Sequence, residues 1–125
     1  MAVIKPTVTN VGPSGDESCI QVQWTPVTNA DTCNPVSYPG HSDKSIQVSG
    51  TFNAASVAMN GSNEPTGTNM FALNDPSSTV IAITAAGGKA VLENTLFLQP
   101  AATGGGGSQS LTITMLLRLN NPLRK

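Results

Sequence analysis

The sequence predicts an all-β domain, an antiparallel sandwich or barrel, on three observations. Apolar and polar residues alternate with period two, and turn residues interrupt the alternation about every eight to twelve positions. Glycine (12) and proline (9) are abundant, as are serine, threonine and asparagine, a mixture that favours turns and strands over helices. The helix-favouring residues Ala, Leu, Glu, Lys and Arg do not cluster at helical spacing anywhere. A chain of 125 residues is one domain's worth of protein, so residues 1–125 are expected to form a single sandwich with arms at about 1–12 and 119–125.

The elements follow in chain order. "VIKPTVTN" is strand-like, but Pro6 confines it to a sheet edge or an extended arm. In "SCIQVQW", Ile20, Val22 and Trp24 share one face and Gln21 and Gln23 the other. "NADTCNPVSYPGH" is a polar loop. In "KSIQVSGTF", Ile46, Val48 and Phe52 line one face, opposite Ser45, Gln47, Ser49 and Thr51. "FNAA" predicts a hairpin turn into "ASVAM", the expected partner strand. Asn60-Gly61 suits a loop with φ > 0. "TVIAIT" is apolar enough to be covered on both faces. "NDPSS" and "AAGGK" read as turns. "AVLENTLFLQP" predicts one long strand, with Leu92, Leu96 and Leu98 opposite Val91, Glu93, Thr95 and Phe97. "PAATGGGGSQ" reads as a flexible hairpin loop. "SLTITMLLRL" has the cleanest alternation, with Leu111, Ile113, Met115, Leu117 and Leu119 on one side, and is expected to be a central strand.

Catalytic chemistry finds little footing. "HSD" (His41, Ser42, Asp43) imitates a triad, but neighbours in extended chain point in alternate directions, and a triad converges from separate segments. It reads instead as a polar loop with a surface histidine. One histidine and two cysteines show no zinc-binding spacing. The acids Asp16, Glu17, Asp31, Asp43, Glu64, Asp75 and Glu93 are scattered, mostly in turns, and match no calcium loop. Glu93, in mid-strand, is either an outward charge or half of a structural pair. "TGGGGS" lacks the Lys-Ser/Thr and the helix of a phosphate loop. No catalytic, cofactor or metal residue is therefore assigned.

Charge narrows the partners. Only 10% of residues are charged and the formal net charge is −1, with no basic face for nucleic acid. The late cations Arg118, Arg124 and Lys125 read as a solvated tail or as a contact with an acidic surface. The apolar runs are too short to span a bilayer. The start shows no signal-peptide pattern, so synthesis in a cytoplasm and free thiols at Cys19 and Cys33 are expected.

The run "SIQVSGTFNAASVAMNGSNEP", then "FALNDPSSTVIAITAAGG", the strand from Glu93 to Pro100, a Gly-rich loop and "SLTITMLLR" resemble, in that order, the head decoration (cement) proteins of tailed bacteriophages. The resemblance covers roughly residues 36–118. It implies a jelly-roll β-sandwich, often a dimer or trimer, on the outer capsid surface, made in the host bacterial cytoplasm, with the major capsid protein as partner. Two departures stand out: Met70-Phe71 where such proteins often carry tryptophan, and a long loop at 29–41. The expected function is to bind an assembled capsid and stabilise it by bridging capsomers. Expected contacts are the arms: Val3, Ile4, Lys5, Pro6, Leu119, Pro122, Leu123, Arg124 and Lys125. The alternative is a receptor- or carbohydrate-binding module of a tail or fibre, for which an exposed Trp24 would speak. Another tail or neck subunit is a third reading, and an enzyme the last.

Overall fold

A computed structural model describes residues 2–12 and 18–119; Asp16, Glu17, Pro122, Leu123, Arg124 and Lys125 lie outside them. The described residues form ten strands and no helix. These are β1 (Val3–Ile4), β2 (Thr7–Asn10), β3 (Cys19–Thr28), β4 (Thr32–Cys33), β5 (Asp43–Thr51), β6 (Ser56–Ser62), β7 (Phe71–Ala72), β8 (Gly87–Val91), β9 (Phe97–Thr103) and β10 (Ser110–Arg118). One sheet has the order β2-β3-β10-β5-β8 and is antiparallel throughout. The other has the order β7-β6-β9, and Val36, just past β4, extends it by a bridge to Leu98 of β9. β1 pairs with β4 in parallel.

The winding is that of a jelly roll. From β3 onward, each strand passes to the opposite sheet, except β6 to β7. The result is β3-β10-β5-β8 on one side and the 33–36 segment, β9, β6 and β7 on the other. This is the two-Greek-key, two-sheet arrangement, and it agrees with the all-β sandwich the alternation predicts.

The core lies between the sheets. Ile20, Val22 and Trp24 of β3, Ile46 and Val48 of β5, and Leu111, Ile113, Met115 and Leu117 of β10 are at most 1% exposed. Facing them are Val57 and Met59 of β6, Leu98 of β9, and the loop residues Leu73 and Ile81, all fully buried. Each such side chain contributes roughly 1.5–3 kcal/mol by leaving water. β10 is the middle strand of its sheet, as its alternation predicts, and Leu119 falls just beyond it, half exposed.

Several local expectations are corrected, mostly for one reason: neighbours in sequence cross between sheets instead of pairing. β5 does not pair with β6; it lies between β10 and β8, while β6 lies between β7 and β9. Residues 52–55 do make a tight turn, with Asn53 and Ala54 at φ 47° and 69°, but it is a corner between the sheets and not a hairpin. The glycine loop likewise links β9 in one sheet to β10 in the other, and it is held down: Gly106 N–H donates to Asn53 O at 3.2 Å and Gln109 Nε2 to Val27 O at 3.3 Å.

The long strand expected over 90–100 is broken between β8 and β9, where the chain changes sheets. Glu93 there accepts the backbone N–H of Asn74 at 2.8 Å and its side-chain amide at 2.7 Å. Residues 87–91, read as turn and strand start, form the edge strand β8. Asn60 and Gly61 lie inside β6, not in a loop, and a Cβ on Gly61 would stand 2.3 Å from Thr95 Oγ1. The 79–84 stretch makes only isolated bridges; Ile81 and Ile83 are buried while Val80 is 53% exposed, so one face is covered and not two.

Candidate functional surface

The alternation that buries β3, β5 and β10 turns their other side chains onto the outer face of the larger sheet. The register stacks them in rows. One row runs Thr7, Gln23, Thr114, Gln47, Gly88; the next runs Thr9, Gln21, Leu116, Ser45, Ala90. Gln23 Nε2 donates to Thr114 Oγ1 at 3.1 Å, and the hydroxyls of Thr25 and Thr112 lie 2.8 Å apart. Such cross-strand bonds hold the side chains in a regular array. The array is uncharged, mostly amide and hydroxyl with Gly88, Ala90 and Leu116 among them, until its end, where Asp43 stands opposite Arg118. A depression of ≈140 Å³ opens there, lined by Asp43, Lys44, Ser45, Ala90, Leu116 and Arg118. A second, of ≈150 Å³, lies on the other sheet among Asp31, Thr32, Cys33 and residues 99–102 of β9.

The "HSD" stretch has a different role from any triad. Asp43 opens β5, and Lys44 follows on the core-facing row with Ile46 and Val48, only 2% exposed. Its Nζ donates to Asn94 Oδ1, and Asn94 Nδ2 donates to Pro39 O at 2.9 Å. Burial lowers the Lys44 ammonium to about 8. His41 is not on the surface: it is 9% exposed and meets the Tyr38 ring edge-on, centroids 5.8 Å apart. His41 and Lys44 thus tie the loop before β5 to the end of the sandwich. Lys44 was legible as a core-row residue from "KSIQV", since it stands two before Ile46.

The remaining polar groups serve turns. Asp31 accepts from the hydroxyl of Thr28 at 2.5 Å and its N–H at 2.9 Å, which hold its carboxyl below the usual range. Asp75 is lowered first by the N–H of Thr79, and it pairs with Lys89 at 3.4 Å. Glu93 is lowered by Asn74, which makes it part of a structural pair, one of the two roles open to it in the sequence. Both thiols are free; burial pushes the Cys33 thiol up to about 12, with the Asp31 charge adding to it. Among the described residues no group of three or more His, Cys, Asp or Glu could hold a metal ion, and no helix is long and apolar enough to cross a membrane.

Of the expected contacts, Val3 and Ile4 form β1, docked in parallel on β4; Lys5 is exposed and Pro6 half-buried between β1 and β2. Leu119 N–H donates to Ser18 O at 3.0 Å. Trp24, the test of a sugar platform, is fully buried, its Nε1–H on Asn34 O at 2.9 Å. The amide-hydroxyl face was visible in the sequence only as the polar side of each strand; which strands lie side by side was not.

No protein-family model matches the chain and no curated protein matches it. Among solved structures, the CBM22-1–GH10 modules of the Clostridium thermocellum endo-1,4-β-D-xylanase 10B, complexed with xylohexaose, are similar at a TM-score of 0.36 and 12% identity, over 96% of this chain and 26% of that one. The chain spans about a quarter of that protein's length, and a likeness of this degree assigns it neither ligand nor activity.

Proposed function

We propose that the chain is a structural virion protein that binds the outer surface of an assembled phage capsid, with the major capsid protein as partner, and stabilises the shell by bridging capsomers. The observation that carries this reading is the neutral amide-hydroxyl face of the five-stranded sheet. An ordered face of neutral donors and acceptors loses less on desolvation than a charged one. It therefore suits a broad protein surface met in many copies, each contact modest and the sum large. A ligand that binds only the assembled shell stabilises that form by mass action.

The same face supports the competing classes less well. Among the described residues it has no cluster of cations for phosphate. It also has no aromatic ring for sugar stacking: Trp24 is buried, Tyr38 and Phe52 pack against the core, Phe97 lies over Gly67, and Phe71, 46% exposed, belongs to the other sheet. A structural part needs none of the catalytic groups the sequence lacks.

The test is to mix purified chain with expanded and unexpanded empty shells of the phage that encodes it, and to image them by cryo-electron microscopy. Added density on expanded shells, with this sheet facing inward, is expected. The double variant Gln47→Glu, Ser49→Glu, both at exposed positions, should fold and lose binding. Shells left bare by the unaltered chain would overturn the reading.

A further inference from the structure

Half of the N–H and C=O groups of an edge strand point away from its sheet, and folded proteins normally guard them with charge, proline, brevity or cover. The edges of this sandwich differ in that respect. β8 carries Lys89, paired with Asp75, and begins with two glycines. β7 is two residues long, and the short β4 is covered by β1. β2, "TVTN", has no charge, no proline and no cover among the described residues; all four of its residues are exposed.

Apolar side chains gather along that edge. Val8 stands opposite the buried Val22, so it faces the core side, yet it is 44% exposed because no described strand lies beyond it. Val11 N–H donates to Cys19 O, and Leu119 N–H to the neighbouring Ser18 O, which brings these residues to the same end of β2 and β3. Val3, Val11 and Leu119 are between 44% and 63% exposed.

We infer that β2 is a self-association edge, pairing antiparallel with β2 of a second copy of this chain across a two-fold axis. The strand's own composition singles out that occupant. An identical strand supplies a matching set of donors and acceptors, and an uncharged edge on a nearly neutral chain meets its copy without repulsion. Symmetry also fixes the choice of register. Residues opposite one another must point to the same face, so residue numbers across the axis sum to an even value. Pairing centred on Val8 sets Val8 against its copy and Thr7 against Thr9, burying the half-exposed valines on the core side. Two five-stranded sheets then become one of ten strands. Three residue pairs within β2 (Thr7 with Thr9, Val8 with Val8, Thr9 with Thr7) fall short of the ~1,200 Å² typical of a stable interface; Val11 and Leu119 extend the contact at both symmetry-related ends.

This dimer forms without a shell, so it stands or falls apart from the capsid reading. Sedimentation velocity of the unaltered chain over a range of concentrations should show a concentration-dependent dimer, and Val8→Lys, which sets two ammonium groups face to face, should remain monomeric. Val8→Cys should crosslink to a covalent dimer on mild oxidation, since opposed Cβ atoms lie ~4.5–5.5 Å apart, while the parent chain should not. If Val8→Lys fails to fold, the crosslinking result decides. A parent chain that stays monomeric, a dimer that survives a folded Val8→Lys, or a Val8→Cys chain that does not crosslink would overturn the assignment.

Discussion

Lys44 occupies a costly position. It sits on the core row of β5 with one neutral partner, Asn94 Oδ1. Its ammonium titrates at about 8 in the fold against 10.5 ordinarily. Between those values the unfolded chain holds the proton that the folded chain has released, so Lys44 destabilises the fold fully below pH 8 and progressively less up to 10.5. Cys33 acts in the opposite sense: its folded value of about 12 exceeds the ordinary 9.0, so its contribution is present below pH 9 and lost as pH rises to 12. Comparing variants cancels the Cys33 part. Lys44→Met should therefore be more stable than the parent at pH 7, by on the order of 1–3 kcal/mol. Denaturant titrations should show that gain shrinking between pH 8 and 10.5; a constant difference would contradict the mechanism. Gly61 is the opposite kind of residue, required by space. An added methyl would meet Thr95 Oγ1 at 2.3 Å and Phe97 O at 3.0 Å. Gly61→Ala should cost about 1–3 kcal/mol, read as a lower unfolding midpoint.

At the scale of elements, the long alternating strands β3, β5, β6 and β10 were legible and their partners were not. β10 announces itself because both its faces are constrained: four apolar residues inward, Thr112 and Thr114 outward. Central placement makes it sensitive, and Met115→Ala should cost about 2–5 kcal/mol, more than a matching truncation at half-exposed Val8; equal losses would show that the edge is packed as tightly as the centre. Pairing was misjudged because short turns are taken to join adjacent strands. Asn53 and Ala54 form a tight turn in either case. Whether it closes a hairpin or rounds the rim of a sandwich depends on where the following strand finds a partner, and β6 finds β9, some forty residues later, a non-local choice. The break after β8 has the same origin: Val91 and Leu98 belong to different sheets, and Glu93 fastens the crossing to Asn74.

For the whole molecule, the two associations proposed use separate parts of one sheet, its outer face and its open edge. They are separable by experiment. Gln47→Glu with Ser49→Glu should abolish shell binding and leave the dimer intact, whereas Val8→Lys should abolish the dimer; loss of both by either variant would mean that the surfaces are not independent. What the sequence determined by itself is the class of fold, because period-two burial is written residue by residue in "SCIQVQW", "KSIQV" and "SLTITMLLR". That only 10% of residues are charged was equally a matter of composition. The tertiary structure alone decided which strands are neighbours, and so which polar side chains join into one face. It also decided that His41 is buried and that no described residue covers β2. These depend on contacts between residues far apart in the chain, and no local pattern carries that information.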